Sequence, residues 1–431
     1  MRTRLPSVRT LGGLIILSAC FGTPAASQPR NTSGQLALVG GTIYASPTEP
    51  PIRDGVIVID AGKIATVGRR ASVRVPRGIE VIDCSGLTIT AGFWNSHVHF
   101  LQRKWTDAAT LPAPELGRQL QAMLTQYGFT SVFDTWSMWE NTRRLRERIE
   151  SDEIAGPRIR STGQATFPKA AAAATQVATQ AAWGALGFMP LETIQIPRVA
   201  DASEAIEGAR KLLDAGTDGL KLYAATPGRN SVALPESVIQ ALVKEAHARG
   251  KPVFSHPTTA AGLTASVRAG VDVLTHTTPQ SGPWDEAVLA AMKQSSVALI
   301  PTLTLSRYEL RHERVSIADG FEETAIGQLR AWLGAGGVVL FGTDVGYMTE
   351  YDPTEEYALM ARARMTFPQI LASLTTAPAE RFGASKELGR IAPGLAADLT
   401  VLRSDPSKDI RALGSVQYTI RDGKFIYRGS R

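Results

Sequence analysis

Two histidines stand one residue apart in the apolar run FWNSHVHF, residues 93–100. Successive side chains of a strand point to opposite faces, so His97 and His99 share one face and Val98 takes the other. Two imidazoles at that spacing can reach one divalent cation at about 2.0–2.1 Å. The pair alone is a weak sign, because hydrogen-bonded core histidines satisfy it equally well. Other residues of the same chemistry close or occupy apolar runs further on: Lys221 in DGLKLY, His256 in PVFSH, His276 in VDVLTHT and Asp344 in VVLFGTD. Each has an ordinary reading of its own, as a satisfied core histidine, a capping aspartate or a lysine snorkelling out of its strand. Those readings would have to hold together at five strand ends. His247 in KEAHARG and His312 in LRHER, the other two of the six histidines, sit in charged helical runs and read as solvated.

The elements that must position these residues alternate along the middle of the chain. Eight β-type runs begin at residues 93, 131, 158, 219, 252, 271, 297 and 338. Helical patterns such as ELGRQLQAMLTQYG, ASEAIEGARKLLDAG and PESVIQALVKEAHARG lie between them, the last two ending at glycine. Eight such units predict an α/β fold, a (β/α)8 TIM-like barrel over residues 91–384, with chemistry at the C-terminal ends of the strands. One connection, about residues 164–200, is too long for a plain link, and its alanine-rich run suits a lid or a pocket wall. Residues 35–90 and 385–431 are β-rich at both ends of the chain, with a hairpin expected at Ala61-Gly62-Lys63. They predict one small β-sandwich domain built from both termini.

Composition is that of a globular protein: 44% hydrophobic and 20% charged. Basic residues are not interleaved with aromatic ones, so a nucleic-acid partner is excluded. Residues 1–30 have the three parts of an export signal: Arg2, Arg4 and Arg9, then LGGLIILSAC, then small residues. Cleavage before Cys20 or before Gln28 takes these three arginines from the net +6 and leaves +3. Two cleavage readings compete. LSAC, residues 17–20, resembles a lipobox and would make Cys20 a lipid-bearing first residue, the chain's one route to a membrane. AAS, residues 25–27, would instead release a soluble periplasmic protein. With Cys20 gone, Cys84 has no partner for a disulfide.

The set of motifs resembles the amidohydrolase superfamily in its binuclear-metal form, nearest the imidazolonepropionase-like and prolidase-like branch. The similarity runs from about residue 35 to the C-terminus through HVH (97–99), GPRIRSTG (156–163), GTDVG (342–346), LASLTTAPAERFG (371–383) and GRIAPGLAADLTVL (389–402). It implies two divalent ions, taken as zinc. His97, His99 and Asp344 would hold the more buried one, His256 and His276 the second, and Lys221 would bridge them as an N-carboxylated lysine. Charge supports that last role, since an ammonium is repelled beside two dications and disfavoured by burial. Asn95 stands where many relatives carry aspartate and is assigned a structural role. Some dipeptidase-like members hold the substrate carbonyl with a histidine after the third strand, which is missing here. Tyr223 is the candidate for that contact, against a plain packed aromatic. Arg229 is the candidate for a substrate carboxylate, against a solvated loop arginine.

The resemblance implies a metal-dependent amidohydrolase, and the N-terminal segment adds export to the periplasm or outer membrane of a Gram-negative bacterium. Its substrate would be a small-molecule amide, a dipeptide or an N-acyl amino acid, including phenylalanine amides such as ochratoxin A. Attack would come from a metal-activated hydroxide, with Asp344 moving the proton. Hydrolysis of cyclic amides, lactones or other esters by the same site is the alternative. A non-catalytic envelope lipoprotein would have lost ligands that are all present. Assembly as a homo-oligomer stays open.

Overall fold

A computed structural model describes residues 35–169, 187–189, 197–226, 231–311 and 320–430. The expected export signal with Cys20, most of the alanine-rich connection, Arg229 and His312 lie outside the described residues.

Five strands open the chain: β1 (Leu36–Tyr44), β2 (Ile52–Asp60), β3 (Lys63–Arg69), β4 (Glu80–Asp83) and β5 (Thr88–Ala91). Eight barrel strands follow, with two short strands of the long connection inserted among them: β6 (Phe93–Val98), β7 (Phe129–Asp134), β8 (Arg158–Ser161), β9 (Phe167–Pro168), β10 (Arg198–Val199), β11 (Leu220–Tyr223), β12 (Val253–His256), β13 (Val273–Thr275), β14 (Ala298–Ile300) and β15 (Val338–Val339). The chain closes with β16 (Leu399–Leu402), β17 (Val416–Arg421) and β18 (Lys424–Arg428).

Strands from both chain ends share one eight-stranded sheet, ordered β18-β17-β16-β5-β1-β2-β3 with β4 on β1. Its joint is the antiparallel pairing of β5 with β16. Two tight hairpins set the register. Ala61-Gly62 joins β2 to β3 and Asp422-Gly423 joins β17 to β18, and all four turn residues have positive φ. That is the geometry a two-residue turn between right-twisted strands requires. One apolar cluster gathers Leu38, Ile57, Ile59, Ile89, Leu399, Val401 and Ile420 from both chain ends.

The barrel is an α/β ring of parallel strands in two runs, β6-β7-β8 and β11 to β15 in order. Backbone bonds close both seams. At one, Thr166 N–H donates to Lys221 O at 2.8 Å and Tyr223 N–H to Thr166 O at 2.9 Å. At the other, Ser96 N–H donates to Phe341 O at 2.7 Å, Asp344 N–H to His97 O at 2.9 Å and His99 N–H to Val345 O at 2.8 Å. β7 and β12 are not neighbours in the ring, so the 4.6 Å approach of Phe133 and Phe254 takes place inside it. Phe382 adds its ring to both, at 4.9 and 5.8 Å, and the three form a dry floor beneath the mouth.

The eighth strand departs from expectation. Regular pairing ends at Val339, although the pattern predicts a strand to residue 344. Phe341 gives its N–H to the Ser373 carbonyl in the helix Phe367–Leu374, and Asp344 takes a positive φ of 62°. The segment still runs alongside β6, but it turns its last residues into the mouth.

Candidate metal centre

Three ligand-type residues lie just past the regular end of a strand. His99 follows β6, His276 follows β13 with φ 75°, and Asp344 ends the bent segment after β15. Positive φ in residues other than glycine costs about 1–3 kcal/mol and gathers where a site demands it. Here it aims both side chains inward.

His97 Nε2 and His99 Nε2 are 3.1 Å apart, and Asp344 Oδ1 lies 3.3 and 2.8 Å from them. All three residues are buried. His99 Nδ1 is 2.8 Å from the Trp136 carbonyl, so it carries the proton and Nε2 presents a lone pair. Asp344 Oδ1 accepts no hydrogen bond in spite of these close nitrogens. Two imidazole nitrogens and a carboxylate oxygen converge on one point, and these three residues have the geometry to hold a cation.

The other expected residues flank this point. The His276 ring lies 4.7 Å from that of His97, and its Nε2 is 4.0 Å from Asp344 Oδ2. The His256 ring lies 4.5 Å from His276, and its Nδ1 is buried with no hydrogen-bond partner. Lys221 is 1% exposed, and its ammonium donates to the Thr275 hydroxyl at 2.5 Å and lies 5.7 Å from the centre of the Tyr223 ring. Burial, reinforced by Lys221, keeps His97 neutral down to about pH 3 and holds His256 and His276 well below the usual histidine range. Burial also lowers Lys221 to about 7. Burial works to raise the Asp344 carboxyl, but the facing histidines outweigh it and keep it ionised. The result is a carboxylate faced by imidazole nitrogens, a donor set that fits divalent cations.

Tyr223 is clamped. Its ring stacks on Phe167 at 4.1 Å and on His256 at 4.4 Å, with Trp136 edge-on at 5.7 Å. Burial raises its hydroxyl well above 10, so it stays a donor. The described part of the long connection lies against the same mouth. Met189 N–H donates to Leu101 O at 2.9 Å, and Phe188 stacks on Tyr347 at 5.8 Å.

Several supporting residues escape a reading of the sequence. Asn95 was visible, and it links β6 to the eighth-strand segment: Nδ2 donates to Thr343 Oγ1 at 2.7 Å, and Oδ1 accepts from His97 N–H and Thr343 N–H. Asp134 was not singled out. It is fully buried and accepts from Ser137 Oγ at 2.6 Å and Ser161 Oγ at 2.7 Å. Ser137 in turn accepts from Phe100 N–H, which fixes the Trp136–Ser137 turn beside His99. An aspartate closing SVFDT was the available signal, of the same kind as Asp344 in VVLFGTD.

Gly346 carries a testable constraint. Its φ is 97°, and a Cβ there would meet the His99 carbonyl oxygen at 1.8 Å, where only backbone can yield. Gly346→Ala is expected to lower stability in urea unfolding by about 1–3 kcal/mol or more. Gly327→Ala, in the helix Phe321–Gly334 with no described atom within 4 Å of its Cβ, is expected to be neutral or stabilising. Equal behaviour of the two would remove the close approach as a constraint on the site.

A parallel-stranded barrel with its polar cluster at the C-terminal mouth defines the class as a barrel hydrolase with a metal-type ligand set. The chain belongs to the amidohydrolase family, whose profile matches residues 88–426, and is a hydrolase of C–N amide bonds. The ochratoxinase of Aspergillus niger is 22% identical over 416 residues, 88% of this chain and 84% of that protein. Its crystal structure superposes with a TM-score of 0.73 at 20% identity, covering 92% of this chain and 96% of that one. An Xaa-Pro dipeptidase with bound methionine gives 0.75 at 21% identity, covering 92% and 100%. A prolidase complexed with N-methylphosphonate-L-proline gives 0.73 at 24% identity, with the same coverage.

Proposed function

We propose that the protein is an exported amidohydrolase that cleaves the amide of dipeptides or N-acyl amino acids, phenylalanine amides such as ochratoxin A among them. The observation that carries this is the convergence of His97, His99 and Asp344 beside a clamped tyrosine donor. His97, His99 and Asp344 would hold one ion, His256 and His276 a second, and Lys221, as a carbamate, would serve both. Divalent metal, zinc in this proposal, supplies Lewis acidity and brings a water to near-neutral pKa. A lysine lowered to about 7 supports the carbamate, because the free amine that takes up carbon dioxide is well populated at neutral pH.

Asp344 accepts the proton of the attacking water at its carboxylate and returns it to the departing amine. The Tyr223 hydroxyl donates to the carbonyl oxygen as negative charge develops there. Its stacked ring spares it the reorganisation a mobile donor would undergo. The wall of Trp136, Phe167 and Tyr223 favours an apolar or aromatic group beside the scissile bond. Arg229 pairs with the free carboxylate of an amino-acid product. The relatives named as an ochratoxinase, a prolidase and an Xaa-Pro dipeptidase support a small amide in this site.

The test is side-by-side turnover of N-acyl-phenylalanine, Xaa-Pro dipeptide and lactone panels by the purified protein. Amide cleavage is expected in at least one of the first two. Lactone hydrolysis without any amide cleavage would move the protein to the ester-cleaving alternative. Export is read from the mature N-terminus, expected at Cys20 with lipid or at Gln28 without it. An intact Met1 on functional protein would reject export.

A further inference from the structure

His276 is held from behind in an unusual way. Its Nδ1 lies 2.6 Å from the hydroxyl of Thr302, itself buried and at φ 44°. Thr302 directly precedes the helix Leu303–Arg311. A threonine there ordinarily turns its hydroxyl onto the first free N–H groups of its own helix. Here those groups are already taken. Glu356, fully buried on the helix Thr354–Arg362, accepts Leu303 N–H and Thr304 N–H, each at 2.8 Å, and the Thr304 hydroxyl at 2.8 Å. A carboxylate from another helix does the capping and leaves the Thr302 hydroxyl to the histidine.

The geometry points to Thr302 and Glu356 as a positioning pair for His276: Glu356 caps the helix so that Thr302 can hold Nδ1 and leave Nε2 facing the metal centre. The inference rests on the metal-centre reading above and concerns only how this chain sets one of its ligands. With Nδ1–H donated to Thr302, the Nε2 lone pair is fixed in tautomer and direction. Without Glu356, Thr304 N–H recruits the Thr302 hydroxyl, and the ring loses its anchor although no ligand has changed.

The experiment is titration of Co2+ into the full chain after chelation, following the visible absorption of the bound ion, with melting temperature measured on each preparation. Wild type is expected to bind Co2+ with defined bands. Thr302→Val should weaken binding by about 10–100-fold, the usual effect of losing such a support, and shift the bands. Thr302→Ser, which restores the hydroxyl, should return both towards wild type. Glu356→Gln should shift the bands in the same sense as Thr302→Val. Should Thr302→Val not fold, Thr302→Ala carries the same comparison. Wild-type affinity and bands in the hydroxyl-free variant overturn the role of Thr302, and unchanged bands in Glu356→Gln overturn the coupling between cap and histidine. A wild type that takes up no Co2+ overturns the metal centre itself and this inference with it.

Discussion

Asp344→Asn is expected to lower turnover by about 10²–10⁴-fold, the range general acid–base catalysis supplies, with little change in melting temperature. The asparagine keeps the shape of a side chain that is 4% exposed. It also leaves in place the backbone bond from residue 344 N–H to His97 O. What disappears is the one ionised acceptor facing His97, His99 and His276. The acidic limb of the pH–rate profile should change as well, because it reports that carboxylate and the water it serves as a coupled pair. Turnover, metal content and melting temperature are measured on one preparation. A variant that keeps its metal and works within tenfold of wild type would show that another group moves the proton.

His97→Ala is expected to abolish both bound metal and turnover, and Lys221→Ala to leave one ion or none. Each removes a side chain that meets no solvent and has no other polar duty. Among the described residues His97 Nδ1 has no hydrogen-bond partner, and Lys221 hydrogen-bonds the Thr275 hydroxyl. Chelation of wild type should mimic His97→Ala and be reversed by added divalent ion. His247→Ala serves as the control, since that ring pairs with Asp272 at 2.9 Å on an exposed helix end and should alter neither readout. Metal analysis of dialysed protein decides the point: a full complement in His97→Ala would dissolve the assigned centre.

What the sequence disclosed follows from how local each signal is. The eight barrel strands were readable because each is an apolar run closed by a polar residue, and burial on both faces writes that pattern directly. The hairpin at Ala61-Gly62 was readable because a two-residue turn leaves few choices. His97 and His99 could be paired because one strand carries both. Their approach to Asp344 depends on a seam between segments some 245 residues apart, and the resemblance to known motifs, not spacing, brought them together. Thr302 and Glu356 left no such trace. Neither residue type is unusual in its stretch, and their roles arise only when two distant helices pack. The end of the eighth strand misled in a related way: VVLFGTD has the composition of a strand, but Ser373 captures the Phe341 N–H and Asp344 adopts a left-handed backbone.

The seam between β6 and the bent segment after β15 puts two tasks on the same few residues. His97 and His99 give the backbone groups that fasten the first barrel strand to the last, and their imidazoles face Asp344 across the same join. An ion seated there is therefore a clasp on a ring. Parting the strands would pull its ligands from one another. Binding to the closed ring alone adds stability that grows with the logarithm of free ion over its dissociation constant. Scarcity of metal would thus reach this protein twice, as lost activity and as a barrel more easily opened along that one line.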